Sequence, residues 1–502
     1  MSDFDVIVVG AGNAALAAAN SAREQGAERV LVLEKAPEKD RGGNTHYSGG
    51  LLRIAYGDGE KLRPLVPDAE DALPGFFADV PTYTEDEMMA DLMRVTAGKT
   101  DQTLAKILIS KSYETIRWMH EYGGIPMEPA VSLSAIRVGN QVKWQKGAIV
   151  RALHEGVGLS NSWFAKSQAN GIAIRYGVGA AELLQDEDGA VVGVLANTGE
   201  TLEEITAPAV VLGCGGFEAN AQMRAQYLGA PWDHAKVRGS AYNQGDGLRM
   251  ALDIGALPWG QWSGRHSTPI SNEWPDFADR ERTDRSNRLS YPYSVMINRE
   301  GRRFLDEGED VGMYTYAKYG GRILQETGAL AWQIFDQQTV HLLEPRYNTS
   351  EPITANSLAE LVDQLELDDH AQALRTLEAY NAAVPAPGSN DGFDPTQKDG
   401  LRSSGLQPEK SNWATRLDQP PFVAYSATGG ITFTFGALKI DEDARVIGTD
   451  WRPIRGLFAC GEMVGGLFHI NYPGGTGLVS GAVFGKIAGA SAARGATGRA
   501  AG

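Results

Sequence analysis

Four apolar residues, Val6 to Val9, open the chain's first regular pattern and stop at Gly10-Ala11-Gly12. An alanine-rich stretch with helical periodicity follows, from about Asn13 to Gln25, and a second apolar run, Val30 to Leu33, ends in Glu34. The order predicts buried strand, tight glycine turn, helix, buried strand, with an acid about 20 residues beyond the turn. Asp101 to Tyr122 reads as an amphipathic helix: Leu104, Ile107, Leu108, Ile116 and Met119 share one face, and Gly123-Gly124 stops it. His120 and His154 fall in helical context and are expected to be structural. From Gly171 the period changes. Ile172–Tyr176, Ala181–Gln185, Val191–Asn197 and Ala209–Leu212 alternate or run apolar between turn signals such as Asp186-Glu187-Asp188-Gly189, which predicts a small antiparallel meander inserted in a parallel-sheet domain. It ends in a second glycine turn, Gly213 to Phe217, followed by Asn243-Gln244-Gly245-Asp246-Gly247. Residues 265–432, a third of the chain, hold eight of the 17 Tyr and 11 of the 23 Pro and show few βαβ cues. The C-terminal part returns to glycine turns: a strand Gly456–Cys460, then Gly461 to Gly466, Asn471 to Gly477, and a helix from about Leu478 to Ala492.

The pattern predicts an α/β protein: a Rossmann-like dinucleotide-binding domain made of 1–264 and 433–502, with a cap domain, 265–432, inserted between. In the first turn Gly10 supplies the tight bend. Gly12 leaves no side chain between a pyrophosphate and the helix N-terminus, whose free N–H groups bind anions. Ala15 takes the third small position, and Glu34 can accept hydrogen bonds from a ribose. Residues 41–50, with two glycine pairs around small polar residues, can lie flat against a cofactor.

Composition narrows the function. The 502 residues carry a net charge of −17 and no basic cluster, which excludes an electrostatic nucleic-acid footprint. Sixty glycines gather in short turns rather than in a repeat, as several close backbone approaches to one ligand require. Cys214 and Cys460 are the two cysteines; there is no CxxC, zinc spacing or disulfide framework, so no metal is expected and a reducing compartment is the default. No basic-then-apolar leader and no apolar span of about 20 residues is visible, which predicts a cytoplasmic protein without a membrane span. The Ala/Gly/Arg-rich tail from Ala488 to Gly502 is expected to fray.

Taken together, GAGNAALAAA, GGNTHYSGG, GCGGFEAN, GDGL and GLFACGEMVGG resemble the fumarate reductase/succinate dehydrogenase flavoprotein superfamily over nearly the whole chain, in family order. The resemblance implies FAD rather than NAD, lying extended along the first domain under a cap. It implies cofactor contacts at Gly10, Gly12, Asn13, Ala14, Ala15, Glu34 and Lys35; at Gly42, Gly43, Asn44, Thr45, Ser48, Gly49 and Gly50; at Ala180, Gly213, Cys214, Gly215, Asn220 and Asp246; and at Gly461, Glu462, Thr476, Gly477 and Leu478. The last helix would point its N-terminus, Gly475 to Leu478, at the flavin ring, where it stabilises charge on the reduced cofactor. Relatives that bind flavin covalently carry the linking His six residues before the closing glycine pair. Gly43 stands there and His46 is out of register, so FAD is expected to be non-covalent.

The cap is expected to carry the chemistry. Arg265-His266-Ser267-Thr268 resembles the family's first dicarboxylate-binding His motif, and the stretch from Arg288 to Phe304 its Arg-containing strand. The second His and the clamping Arg are replaced by Phe433 and Tyr472, which counts against fumarate reduction. Two branches of the superfamily suit these departures. Tricarballylate dehydrogenases share GITFTFGxLKID, the NYPGG turn and the run from Asp306 to Tyr319; 3-ketosteroid Δ1-dehydrogenases share Tyr-Pro-Gly at Tyr472. Both desaturate a C–C bond next to a carbonyl carbon, which needs a base for the α-proton, a donor for the oxygen that gains charge, and flavin N5 for the β-hydride. Tyr472 and the backbone of Gly475 or Thr476 suit the oxygen. Arg288, Tyr291, Tyr293, Tyr316 and His266 are the candidates for catalysis, and Arg265, His469, Phe433 and Thr434 for substrate contact. A reductase of an unsaturated acid and a flavin-bound electron-transfer subunit remain as alternatives. With no Fe–S or haem motif, electrons are expected to leave to oxygen, a quinone or a partner protein.

Overall fold

The computed structural model describes residues 2–138, 141–385 and 392–497. Its first layer is a six-stranded sheet in the order Arg445–Ile447, Pro453–Ala459, Val210–Leu212, Val6–Val9, Val30–Glu34, Ala173–Tyr176. All neighbours are parallel except the outer pair Arg445–Ile447 and Pro453–Ala459. The central strands are apolar at every position but the last of Val30–Glu34, because both faces are covered. The helix Asn13–Glu24 connects Val6–Val9 to Val30–Glu34, as the apolar pattern predicts.

The meander differs from its expectation. Ala173–Tyr176 and Val210–Leu212 belong to the parallel sheet. The antiparallel sheet consists of Gly179–Gln185, Val191–Asn197 and Leu202–Thr206. Leu202–Thr206 escaped notice because its first three residues are exposed and give no alternation. Helix Gln102–Glu121 is capped by Asp101, whose carboxylate accepts the Thr103 and Leu104 N–H groups. His120 is held by the Ile125 carbonyl. His154 sits just outside the helix Glu155–Ala169, in a left-handed conformation, rather than within it.

The last helix, Thr476–Thr497, runs past the predicted frayed start at Ala488; residues 498–502 lie outside the described residues. It packs along the helix Asn13–Glu24. A Cβ at Gly485 would come within 2.4 Å of the Ala14 carbonyl oxygen, and one at Gly489 within 2.0 Å of Ala18's. The Ala/Gly composition that reads as a loose tail is thus what lets two helices touch through their backbones. Asn13 Nδ2 donating to the Leu478 carbonyl and Ser21 Oγ to that of Lys486 fix the register.

The second layer is organised on one long strand, Phe422–Thr434. It pairs antiparallel with Arg265–Ser271, Ala331–Phe335 and Ile353–Ala355 and parallel with Lys236–Val237. The boundary expected at 432/433 falls inside this strand. A separate core of Val295, Ile297, Trp332, Leu361 and Leu377 lies beneath this sheet. The helix Tyr316–Leu324 lies against the sheet because Gly320 has no Cβ to meet the Thr268 carbonyl oxygen, which would be 2.4 Å away. That close seating carries Tyr316 to the boundary between the layers. Among the described residues, no helix is long and apolar enough to cross a membrane.

Candidate functional site

A cavity of about 710 Å³ runs between the parallel-sheet layer and the cap. Its floor is mostly backbone. Gly10 adopts φ +101°, and a Cβ there would be 2.6 Å from the Gly213 carbonyl oxygen, so the two glycine turns lie directly against each other. A Cβ on Gly213 would in turn meet that of Ala15 at 2.9 Å. Ala15 is a packing position behind the wall, not part of it. Gly12 is different: a Cβ there meets only Thr45 Oγ1 at 3.5 Å and the Gly42 carbonyl oxygen at 3.9 Å, and otherwise faces the cavity. The first turn of helix Asn13–Glu24 leaves N–H groups without intrahelical acceptors. That of Asn13 donates to Thr45 Oγ1, while the cavity reaches Ala14. At the far end Glu34 is buried with its carboxyl pushed up by desolvation, and Oε1 accepts the Ala36 N–H. Lys35 pairs with Asp246 at 2.6 Å. A bare-backbone cradle, a helix N-terminus and a buried acid at one end fit an extended dinucleotide.

Other expected cofactor positions are placed as follows. Gly43, Asn44, Thr45, Ser48, Gly49, Gly50, Ala180, Cys214, Gly215, Gly461, Glu462, Gly477 and Leu478 line the cavity. Gly42 does not: it turns in the left-handed region, packed on Ser160. Asn220 caps the helix Ala221–Leu228 and donates to the Gln244 carbonyl, so it is spent locally. Thr476 is turned into its own bend, with its backbone N–H and hydroxyl both donating to the Pro473 carbonyl. The Asn13 amide is used by Leu478 and Trp163. The Asn44 amide is used by Glu218, Thr432 and Ser240. Glu462 Oε1 accepts the Thr434 N–H and hydroxyl; burial, with Glu218 beside it, holds its carboxyl well above the usual range.

The cap side is made of side chains. Tyr316 and Tyr472 meet hydroxyl to hydroxyl at 2.5 Å. The His266 ring lies edge-on to both, with centroids 5.0 and 4.9 Å away, and stacks on Phe433 at 5.1 Å, its cross-strand neighbour. Neither ring nitrogen of His266 has a hydrogen-bond partner although the residue is 1% exposed. Burial, and secondarily Arg238, hold it neutral, well below the usual imidazole range. Burial raises both phenols, but the surroundings separate them. Tyr472 is eased back by the Tyr316 hydroxyl, Arg238, the Gly475 backbone N–H and Arg53. Tyr316 is pushed up further by Tyr472 itself. Tyr472 is the more acidic of the pair.

Several expected catalytic and substrate residues stand away from this cluster. Arg288 is buried behind the wall: its backbone N–H donates to the Pro269 carbonyl, and its guanidinium donates to the Asn287 and Arg346 carbonyls and to Ser350 Oγ. The Tyr291 hydroxyl is spent on Thr315 Oγ1 at 2.5 Å. Tyr293 borders the cavity, but its hydroxyl donates to the Pro395 carbonyl at 2.7 Å. Arg265 points to the opposite face of its strand and stacks over Trp232 at 4.1 Å, its guanidinium lowered to about 10 by burial. His469 is half-buried outside the cavity, lowered by burial with Lys99 nearby. Phe433, Thr434 and Gly475 are in the wall.

Sequence reading missed four charged wall residues, Arg238, Asp284, Glu344 and Arg346. One Asp284 oxygen accepts from Arg238 and the other from Arg346, at 2.5 Å, and Arg346 also pairs with Glu344. Arg238 follows the two-residue strand Lys236–Val237, Asp284 and Arg346 lie in the short 3-10 helices Thr283–Ser286 and Pro345–Thr349, and Glu344 precedes the latter; such short elements leave no periodicity to mark them. Also missed was Arg53, fully buried. Its Nε donates to the Gly474 carbonyl at 2.7 Å and its N–H to that of Gly475, which fixes the turn presenting Tyr472.

Residues 5–479 match the family described as FAD binding domain. The cytochrome-type fumarate reductase of Shewanella frigidimarina is 27% identical over 499 residues, covering 98% of this chain and 77% of that protein. The 3-oxosteroid 1-dehydrogenase of Mycolicibacterium smegmatis is 27% identical over 566 residues, covering 97% and 96%. The open conformation of a flavocytochrome c3 fumarate reductase superposes with a TM-score of 0.72 at 25% identity, covering 98% of this chain and 78% of that one. With the glycine cradle, the buried Glu34 and the cap all in place, the chain belongs to the FAD binding domain family, in the fumarate reductase/succinate dehydrogenase flavoprotein superfamily, and is an FAD-dependent oxidoreductase acting on CH–CH groups.

Proposed function

We propose that the protein desaturates the α,β bond of a saturated carbonyl compound. The observation that carries this reading is the pair of phenol oxygens, Tyr316 and Tyr472, 2.5 Å apart in the cavity wall. A carbonyl oxygen and an α-hydrogen of one substrate are near neighbours, so two adjacent hydroxyls suit both at once. Pairs whose surroundings push their acidities apart divide acid and base work between them. Tyr472, the more acidic, is the donor to the carbonyl oxygen; Tyr316, the more basic, takes the α-proton. Bound FAD supplies the acceptor for the β-hydride. The neutral His266, with both nitrogens unpartnered, is free to hydrogen-bond the substrate. Phe433, Phe435 and Phe468 keep water from the reacting atoms.

The motif resemblance to tricarballylate dehydrogenases suggests a tricarboxylate. The charges favour a different substrate class. The paired wall residues Arg238, Asp284, Arg346 and Glu344 sum to zero, Lys35 is paired with Asp246 and His266 is neutral, which leaves no spare cation for a trianion among the described wall residues. An uncharged ketone, of the cyclic kind, meets this wall without desolvating unpaired charge. FAD is held non-covalently in this reading, since Gly43 has no linking atom and His46 Nε2 faces the Arg280 carbonyl. The electrons pass to an external acceptor such as oxygen, a quinone or a partner protein. Both cysteines are free thiols, which supports a cytoplasmic setting.

The test is anaerobic mixing of the holoenzyme with saturated cyclic ketones, tricarballylate and succinate, following the visible absorbance of the flavin. Bleaching by a ketone is the expected result. Bleaching by the carboxylates alone would return the substrate to the tricarboxylate class. Rapid reoxidation of the reduced enzyme by fumarate would overturn the direction.

A further inference from the structure

We propose that Asp284 is the specificity-determining residue of this cavity: by holding Arg238 and Arg346 together it cancels the cations that would otherwise bind a carboxylate substrate. The inference rests on the reading of the cavity as one for uncharged carbonyls.

Asp284 is 3% exposed and supplies one oxygen to each arginine, with Asn287 Nδ2 donating to Oδ1 at 2.8 Å. Gly49 makes room for it: a Cβ there would be 2.8 Å from Asp284 Oδ2. Arg346 has a second carboxylate, Glu344, whose Oε2 accepts from Nε at 2.8 Å. Arg238 has no second acid. Its other bond is Nη1 to Thr432 Oγ1 at 3.2 Å, and its Nε is buried without a partner. Removing the Asp284 charge therefore frees Arg238 alone. Arg238 is also the cation whose field reaches His266, Tyr316 and Tyr472. A carboxylate bound by a freed Arg238 would lie beside the reacting groups. Arginine is suited to that capture by its planar fork of donors.

Asp284→Asn keeps the shape and removes the charge. The experiment titrates FAD-loaded wild type, D284N and the double variant R238Q/D284N with succinate at pH 7, reading the perturbation of the bound flavin's visible spectrum. FAD content and thermal melting serve as controls. D284N should bind succinate at least about tenfold more tightly than wild type, ~1.4 kcal/mol. The double variant, with Arg346 and Glu344 left as a neutral pair, should lose that gain. If D284N does not accumulate as holoprotein, Asp284→Ser, which removes the same charge and keeps a polar group, is titrated in its place and should show the same gain in succinate affinity. Succinate binding unchanged in a folded, loaded D284N, or a gain that survives in the double variant, overturns the role of Asp284. Tight succinate binding by the wild type overturns instead the reading of the cavity as one for uncharged substrates.

Discussion

The floor and the ceiling of the cavity are built on different plans. The floor is backbone: Gly10, Gly12, Gly213 and Gly461 come from turns that follow buried strands, and their work is to leave space and present N–H groups. The ceiling is side chain, drawn from separate segments: Tyr316 bonds Tyr472, the His266 ring packs edge-on to both, and Asp284 pairs Arg238 with Arg346. A floor residue is damaged by adding atoms. A ceiling residue is damaged by removing one, or by changing a single charge.

The largest contrast lies within the floor. Gly12→Val should abolish FAD binding while the apoprotein still folds, because Gly12 has φ −79° and its missing side chain faces the cavity. Gly10→Val should prevent folding, since φ +101° and the Gly213 carbonyl leave no place for a Cβ. Flavin absorbance per protein and circular dichroism distinguish the two; a Gly12→Val protein that retains full flavin would show the cradle is not where the pyrophosphate lies. Acid precipitation of the wild type should leave all the FAD in the supernatant. Yellow colour in the pellet would mean a covalent link somewhere other than Gly43.

The ceiling should respond to loss of single oxygens. Tyr316→Phe should lower kcat by about 10²–10⁴, the span of general-base contributions. Tyr472→Phe should lower it by about 10²–10³ as an oxygen-stabilising donor is lost. FAD content should be unchanged in both, and KM should move less than kcat. A loaded Tyr472→Phe enzyme within about threefold of wild type would make Tyr472 a wall residue.

Acidity sharpens the same comparison. Burial raises both phenols, so the form that accepts the α-proton grows with pH. The rate of the reductive half-reaction should climb by about tenfold per unit between pH 7 and 9. His266 should add no titration near pH 6.5, because burial holds it neutral. A bell-shaped profile centred near 6.5 would give the proton to His266 instead.

The smallest effect on catalysis is expected at Arg288. Its bonds run to Asn287, Arg346 and Ser350 inside the cap. Arg288→Lys should lower the melting temperature while leaving kcat of the loaded enzyme within about threefold. A loss of two orders of magnitude at full FAD occupancy would bring Arg288 back into the chemistry.

What the sequence determined by itself is the part of the protein whose physics is local. A strand, a glycine turn and a helix within some thirty residues specify the cradle, because turn conformation, missing Cβ atoms and helix N-terminal donors are set by near neighbours in the chain. The helix after Asp101 was legible for the same reason, through its apolar face and the Gly123-Gly124 stop. Tyr472 stood out through the family resemblance, which puts it at the clamping Arg's position in the Asn471 to Gly477 turn. The tertiary structure alone decided what meets what across the cavity. Tyr316 reaches Tyr472 across 156 residues because Gly320 seats its helix against the sheet, and Asp284 joins arginines 46 and 62 residues away. Arg288 lay in a promising stretch, but its guanidinium is held inward by the Arg346 carbonyl and Ser350. Arg53 looked ordinary and became the anchor of the Tyr472 turn. Side-chain direction and charge pairing depend on distant segments arriving at one place, and composition and periodicity along a chain carry no record of that.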